Sequence, residues 1–220
     1  MTHPLFDEIA KFEQWANAYS AIPQEERVGE WECDYDVLSA QGSWSSIYKH
    51  FDDFIMHSEP LSWTDSVISK LLYIIARDNE CEILAREVTR FEKGFIILAK
   101  KSLEMGPRDA KWQLAVRLNL LADKKLAFAL LEAFVKDPEE YVNRRALMKL
   151  AEMGWEKTED YCRMVWERKN YGEVQEYQRM AVLYSLRCVK SPLLSEYIRL
   201  AKEDGRKHLV LNAEKIEMEM

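Results

Sequence analysis

Four alanines, Ala115, Ala146, Ala181 and Ala213, sit inside apolar helical stretches and recur at steps of 31, 35 and 32 residues. A step of roughly 30 to 40 residues is the length of two packed helices and their turns, so the second half of the chain reads as stacked helix pairs. Alanine at a helix crossing lets neighbouring axes approach to about 8 Å, while Leu, Val and Met on the same stripe fill the space around it. With only 7 Gly, 6 Pro and the four Thr at positions 2, 64, 89 and 158, turn formers and β-branched polar residues are too scarce for a sandwich or barrel. The expected fold is all-α.

Punctuation along the chain supports this reading. Ser62 and Asp65 form an S-x-x-D start signal before the apolar run Val67–Ala76. A second helix is expected over Asn79–Phe91, interrupted at Gly94, with Phe95–Leu103 following and Gly106-Pro107 as a break. Further helices are expected over Asp109–Ala122 and Lys124–Val135. The next starts at Asp137-Pro138-Glu139-Glu140 with Asp137 as N-cap, and Gly154 ends it. Thr158–Lys169, Val174–Val189, Leu193–Lys202 and Arg206–Met218 complete the series, with Asp204-Gly205 closing the last but one. Val174–Val189 is apolar nearly all round, as a helix covered on both sides would be.

The segment Asp137–Gly154 resembles the second helix of a HEAT repeat in its Asp-Pro turn, Val142, the Arg144/Arg145 pair, Ala146, Leu150 and the closing glycine. Tyr177–Val189 and Trp112–Leu121 share the small residue and its apolar flanks. The resemblance covers about residues 95–218. It implies a short right-handed α-solenoid of about four HEAT-like helix pairs and is nearly silent on activity. Residues 64–220 would be one continuous repeat domain, and residues 1–63 a divergent, acidic and aromatic-rich helical cap.

Catalytic signatures are missing: the chain has no Gly-rich phosphate loop, no GxSxG and no HExxH. His50, Asp53 and His57, at i, i+3 and i+7 of one helix, are a weak metal set, and a pair of surface histidines beside acids explains them as well. Cys33, Cys81, Cys162 and Cys188 are widely spaced and read as free thiols, with Cys81 and Cys188 as small buried hydrophobes. The longest apolar runs hold about six residues against the roughly 20 a membrane helix needs. The first residues lack the basic and apolar regions of a secretory signal. The expectation is a cytoplasmic protein, neither membrane-bound nor cofactor-dependent, and without a catalytic site.

Charge is the feature that bears on partners. Residues 1–99 hold 8 Lys/Arg against 18 Asp/Glu, a balance of −10, while residues 100–220 hold 23 against 20, a balance of +3. An acidic lobe steers basic partners and repels nucleic acid. The candidate partner-binding residues are Glu25, Glu26, Glu30, Trp31, Glu32, Asp34, Tyr35, Asp36, Asp52 and Asp53, acids ringed around two aromatic anchors. Equally, the aromatics can fill the cap's core while the acids face water. The alternative surface is a phosphate-binding stripe of Arg117, Arg144, Arg145, Lys149, Arg179 and Arg187, as in HEAT-like DNA glycosylases. Against it stand nearby acids, Glu140 and Glu152 among them, that can pair with the stripe. Small size, an acidic lobe and a repeat scaffold also resemble the acidic HEAT-type immunity proteins that neutralise toxins. That resemblance implies non-catalytic binding of a basic protein.

Overall fold

The computed structural model describes residues 3–21, 35–36, 42–169 and 171–220, and among them it is all-helical, with no strand. The chain divides into two compact units, residues 1–113 and 114–220. The charge divides with them: 12 Lys/Arg against 20 Asp/Glu in the first and 19 against 18 in the second, balances of −8 and +1.

The first unit contains α1 (Pro4–Ser20), α2 (Trp44–His57), α3 (Asp65–Arg77), α4 (Ile83–Val88) and α5 (Glu92–Met105), and α6 (Arg108–Ala115) carries the chain across the division. Each start has a local cause. His3 Nδ1 accepts the Leu5 N–H at 3.2 Å ahead of Pro4, and Ser43 Oγ accepts the Ser46 N–H at 3.2 Å. α3 is capped by Thr64, whose Oγ1 accepts the Val67 N–H at 3.3 Å. The S-x-x-D signal therefore misplaced this start. Ser62 lies in a 3-10 turn, Pro60–Ser62, and spends its hydroxyl on the Glu59 carbonyl at 2.7 Å. From these starts α2 buries Trp44, Ile47, Phe51, Phe54 and Ile55, one stripe of a 3.6-residue period, while α3 buries Ile68, Leu71, Leu72, Ile74, Ile75 and Ala76 over a wider face. α3 packs on α1, α4 and α5, and α2 packs on α1 and α4. Gly94 does not break the chain but lies inside α5. A Cβ there would come within 2.9 Å of the Trp63 ring, so glycine is what lets the indole lie on the helix.

The second unit runs α7 (Lys124–Val135), α8 (Glu140–Glu152), α9 (Thr158–Glu167), α10 (Gln175–Cys188), α11 (Leu194–Asp204) and α12 (Lys207–Met218). Neighbours pair as α7 with α8, α9 with α10 and α11 with α12, while α8 packs on α10 and α10 on α12. Because α10 also meets α9 and α11, its burial extends around the helix, from Gln175 and Gln178 to Ala181, Val182, Leu183 and Leu186. Ala115, Ala146, Ala181 and Ala213 are all buried. Asp137 is not the N-cap of α8. Its Oδ1 accepts the Glu139 N–H at 2.9 Å, a turn two residues long, and the helix opens at Glu140. The expected helix Asp109–Ala122 likewise stops at Ala115 and continues as a 3-10 turn, Leu118–Leu120.

A buried polar chain joins α8 to α10. Asn143 and Gln178 are both 0% exposed, and Gln178 Nε2 donates to Asn143 Oδ1 at 2.7 Å. Asn143 Nδ2 donates to the Tyr171 hydroxyl at 2.8 Å and to the Glu139 carbonyl at 3.1 Å. Gln175 Nε2 donates to the Arg168 carbonyl.

The two helices also end alike. The Trp155 N–H donates to the Leu150 carbonyl at 3.1 Å, and the Ser191 N–H to the Leu186 carbonyl at 2.9 Å. Each ending needs one left-handed residue, which is Gly154 at φ 68° in α8 and Lys190 at φ 53° in α10. A non-glycine residue is strained there. Lys190→Gly is expected to stabilise the protein by about 0.5–1 kcal/mol, the left-handed penalty less the entropy cost of glycine. A urea midpoint that falls on this substitution contradicts that account.

Candidate functional site

Glu25, Glu26, Glu30, Trp31, Glu32 and Asp34 lie outside the described residues. The four remaining candidates of the acidic surface do not form one patch of free charge. Tyr35 is 0% exposed, with its ring 4.8 Å from Phe12 and 5.1 Å from Trp15. It is therefore core and not an exposed anchor, because the α1 aromatics enclose it. Trp44 and Trp63 are buried in the same way. Asp36 is exposed, and its Oδ1 accepts the Trp44 N–H at 2.6 Å, placing a carboxylate at the positive end of α2. Asp52 meets Arg90 at 3.4 Å.

Asp53 sits between two histidines, His3 Nε2 at 3.0 Å and His57 Nδ1 at 3.1 Å. Since His3 Nδ1 already accepts the Leu5 N–H, Nε2 is the nitrogen that donates to Asp53. That hydrogen bond first, and then the His57 charge, hold the Asp53 carboxyl below its ordinary range. The third member of the cluster is thus His3, fifty residues away in sequence, and not His50. Among the described residues no group of three or more His, Cys, Asp or Glu is arranged to hold a metal ion.

The arginine stripe is largely engaged with carboxylates. Arg144 Nε donates to Glu140 Oε1 at 2.8 Å, Lys149 Nζ to Glu152 at 2.5 Å, and Arg187 meets Glu219 at 2.7 Å. Arg179 pairs with Asp204, which also accepts from Arg206 at 2.6 and 2.7 Å. Two guanidinium groups rest on rings as well, Arg144 4.7 Å from Tyr141 and Arg179 4.8 Å from Trp166, and Arg145 lies 5.9 Å from Tyr141. Arg117 stands beside the 3-10 turn and donates its backbone N–H to the Leu114 carbonyl at 3.1 Å.

The Arg206 hydrogen bond, then the charges of Arg206 and Arg179, hold the Asp204 carboxyl below its ordinary value, against the opposing effect of burial. A carboxylate whose folded pKa is depressed stabilises the fold above its unfolded pKa of about 3.9 and loses that contribution as pH falls through the folded value. Asp204→Asn is therefore expected to lower stability at pH 7, with the gap to the parent protein closing below about pH 4. Urea midpoints at pH 7, 5 and 3 check this. A gap that stays constant across the three rules it out.

Two of the cysteines differ from expectation. Cys81 and Cys188 are exposed, the first in the loop before α4 and the second in the last turn of α10, off the buried stripe. Cys33 lies outside the described residues; among those described Cys162 is the buried thiol, and burial pushes its pKa up to about 12. Cys188 lines a cleft of about 430 Å³ with Glu152, Gly154, Trp155, Thr158 and Glu159.

A residue that no sequence motif singled out also stands apart. Asp78 follows α3 and is 2% exposed. Its Oδ1 accepts from the Tyr48 hydroxyl at 2.9 Å and its Oδ2 from the Leu84 N–H at 2.7 Å, which folds the Asp78–Glu82 loop ahead of α4. Burial raises its pKa, and burial together with the Asp78 charge raises that of Tyr48. An aspartate in the run Arg-Asp-Asn-Glu-Cys reads as a solvated turn, and only the apolar residues on both sides of that run hint otherwise.

Compared with protein-family models, with curated proteins and with solved structures, the chain matches none. Among the described residues no helix is long and apolar enough to cross a membrane.

Proposed function

We propose that this protein is a non-catalytic protein-binding scaffold of HEAT-like helix pairs. Its acidic N-terminal unit engages a basic protein, in the manner of the small immunity proteins it resembles. The observation that carries the reading is the charge division: −8 in residues 1–113 against +1 in residues 114–220. Such an imbalance costs self-repulsion that a cationic partner relieves, and it raises the rate of encounter at low salt. The paired order of α7 to α12, with α8, α10 and α12 packed in succession, supports the solenoid part of the reading. A cytoplasmic location belongs to the same proposal.

The nucleic-acid alternative is weaker, since Arg144, Lys149, Arg179 and Arg187 already hold carboxylates. No shift of duplex DNA is expected at about 50 mM salt, where phosphate contacts are strongest. The decisive measurement is a pull-down with this chain as bait at low and high salt, with light scattering of any complex it captures. A 1:1 complex whose association rate falls steeply with salt, and which is weakened by Glu25→Lys with Glu26→Lys, is the expected result. No complex at low salt, with DNA binding that Arg144→Glu and Arg179→Glu abolish, would reverse the assignment.

A further inference from the structure

We propose that the cavity lined by Asp36, Trp44, Tyr48, Asp78, Glu80, Cys81 and Ile83 is a binding site for a guanidinium group. This inference is independent of the partner reading, because a small alkylguanidinium ion would seat here whether or not a basic protein docks on the same unit.

Size is the first argument. The cavity holds about 210 Å³. Sites for drug-sized ligands run from about 300 to 1,000 Å³, so this one admits a single side-chain-sized group. Charge is the second. Asp78 is buried, and both its oxygens accept from neutral donors, the Tyr48 hydroxyl and the Leu84 backbone N–H. Neutral donors satisfy the lone pairs without offsetting a charge, and burial by itself works against the ionised form, so a cation placed beside this carboxyl would relieve that burial cost. Asp36, with one oxygen on the Trp44 N–H, and Glu80 also line it, and neither Lys nor Arg is among the described residues that do. The charges of Asp78 and Asp36 both push the Tyr48 phenol upward, so they converge on one place.

The aromatic wall narrows the choice of cation. Trp44 and Tyr48 stack with their planes 22° apart and their centroids at 5.6 Å. Trp44 is buried behind Tyr48, so a planar, weakly hydrated guanidinium can lie against the half-buried Tyr48 ring while its edge N–H groups reach a carboxylate. A compact, strongly hydrated ammonium gains less from the same surroundings. The elements that present these groups are well anchored. Trp44 opens α2 under the Asp36 carboxylate, Tyr48 lies one turn on, and Asp78 ends α3.

The test is a titration of the full chain with butylguanidinium at low salt, read from the Trp44 indole and Tyr48 ring signals by NMR. Butylurea, the neutral isostere, runs in parallel, as do Asp78→Asn and Glu80→Gln. A saturable shift is expected with butylguanidinium and none with butylurea. Asp78→Asn should weaken binding by about tenfold or more, the loss of a charge-assisted hydrogen bond, and Glu80→Gln should weaken it less. Should Asp78→Asn fail to fold, the butylurea comparison and Glu80→Gln decide by themselves. An end-blocked Gly-Arg-Gly peptide distinguishes the sources. Binding of both probes means that a chain-borne arginine reaches the site, and binding of butylguanidinium alone means that the site takes a free small cation. No saturable shift, or equal shifts with butylurea and butylguanidinium, overturns the proposal.

Discussion

Replacing Phe12 by alanine is expected to destabilise the protein by about 3–5 kcal/mol, the cost of emptying a buried aromatic site that collapses only in part. The ring is 0% exposed and lies 5.8 Å from Trp15, 4.8 Å from Tyr35, 5.0 Å from Trp44 and 6.3 Å from Tyr73. Four aromatic rings from three helices and from the segment around Tyr35 therefore lose a common neighbour. Stiff rings close a void poorly, which places the expectation at the upper part of the range for large-to-small changes. Urea unfolding, with hydrogen exchange to assign the loss to the first unit, makes the measurement. A cost under about 1 kcal/mol would mean that the rings repack and that this cluster is not the core of the unit.

Asn143→Leu is the second large effect, expected at about 2–4 kcal/mol. The amide bonds to Gln178, to the Tyr171 hydroxyl and to the Glu139 carbonyl, so leucine leaves Gln178 buried with its best partner gone. Leaving a buried amide unpaired costs more than the net value of the bond that is lost. It follows that Asn143→Leu with Gln178→Leu should cost less than the sum of the two single changes, since the second removes the orphan created by the first. Additive single effects would show that the two side chains do not act as a unit.

Much of the fold was legible because periodic apolar residues and left-handed turns leave local marks. The recurring alanines proved buried, and Gly154 and Gly205 end α8 and α11 in the left-handed region at φ 68° and 76°. What failed was chemistry decided by a distant or competing neighbour. Ser62 resembles a cap but bonds back to Glu59, and Asp137 turns onto Glu139. Gly94 looks like a breaker until Trp63, thirty-one residues earlier, is seen lying on it. The candidate site suffered for the same reason. Nothing near Tyr35 in sequence reveals that Phe12 encloses it, and His3 is too far along the chain from Asp53 for any spacing rule to join them. Asp78 is the reverse case, a residue with the usual context of a surface turn that lies buried against the Tyr48 hydroxyl and the Leu84 N–H.

The bond from Gln178 to Asn143 has a consequence for how α8 and α10 find each other. Apolar stripes slide over one another at little cost, because leucine against leucine is satisfied at many offsets. One turn of slippage, about 5.4 Å, would instead part the Gln178 amide nitrogen from the Asn143 oxygen and leave both buried without that partner. The bond thus favours one setting of this pair, keyed by polar atoms hidden where the surface shows nothing.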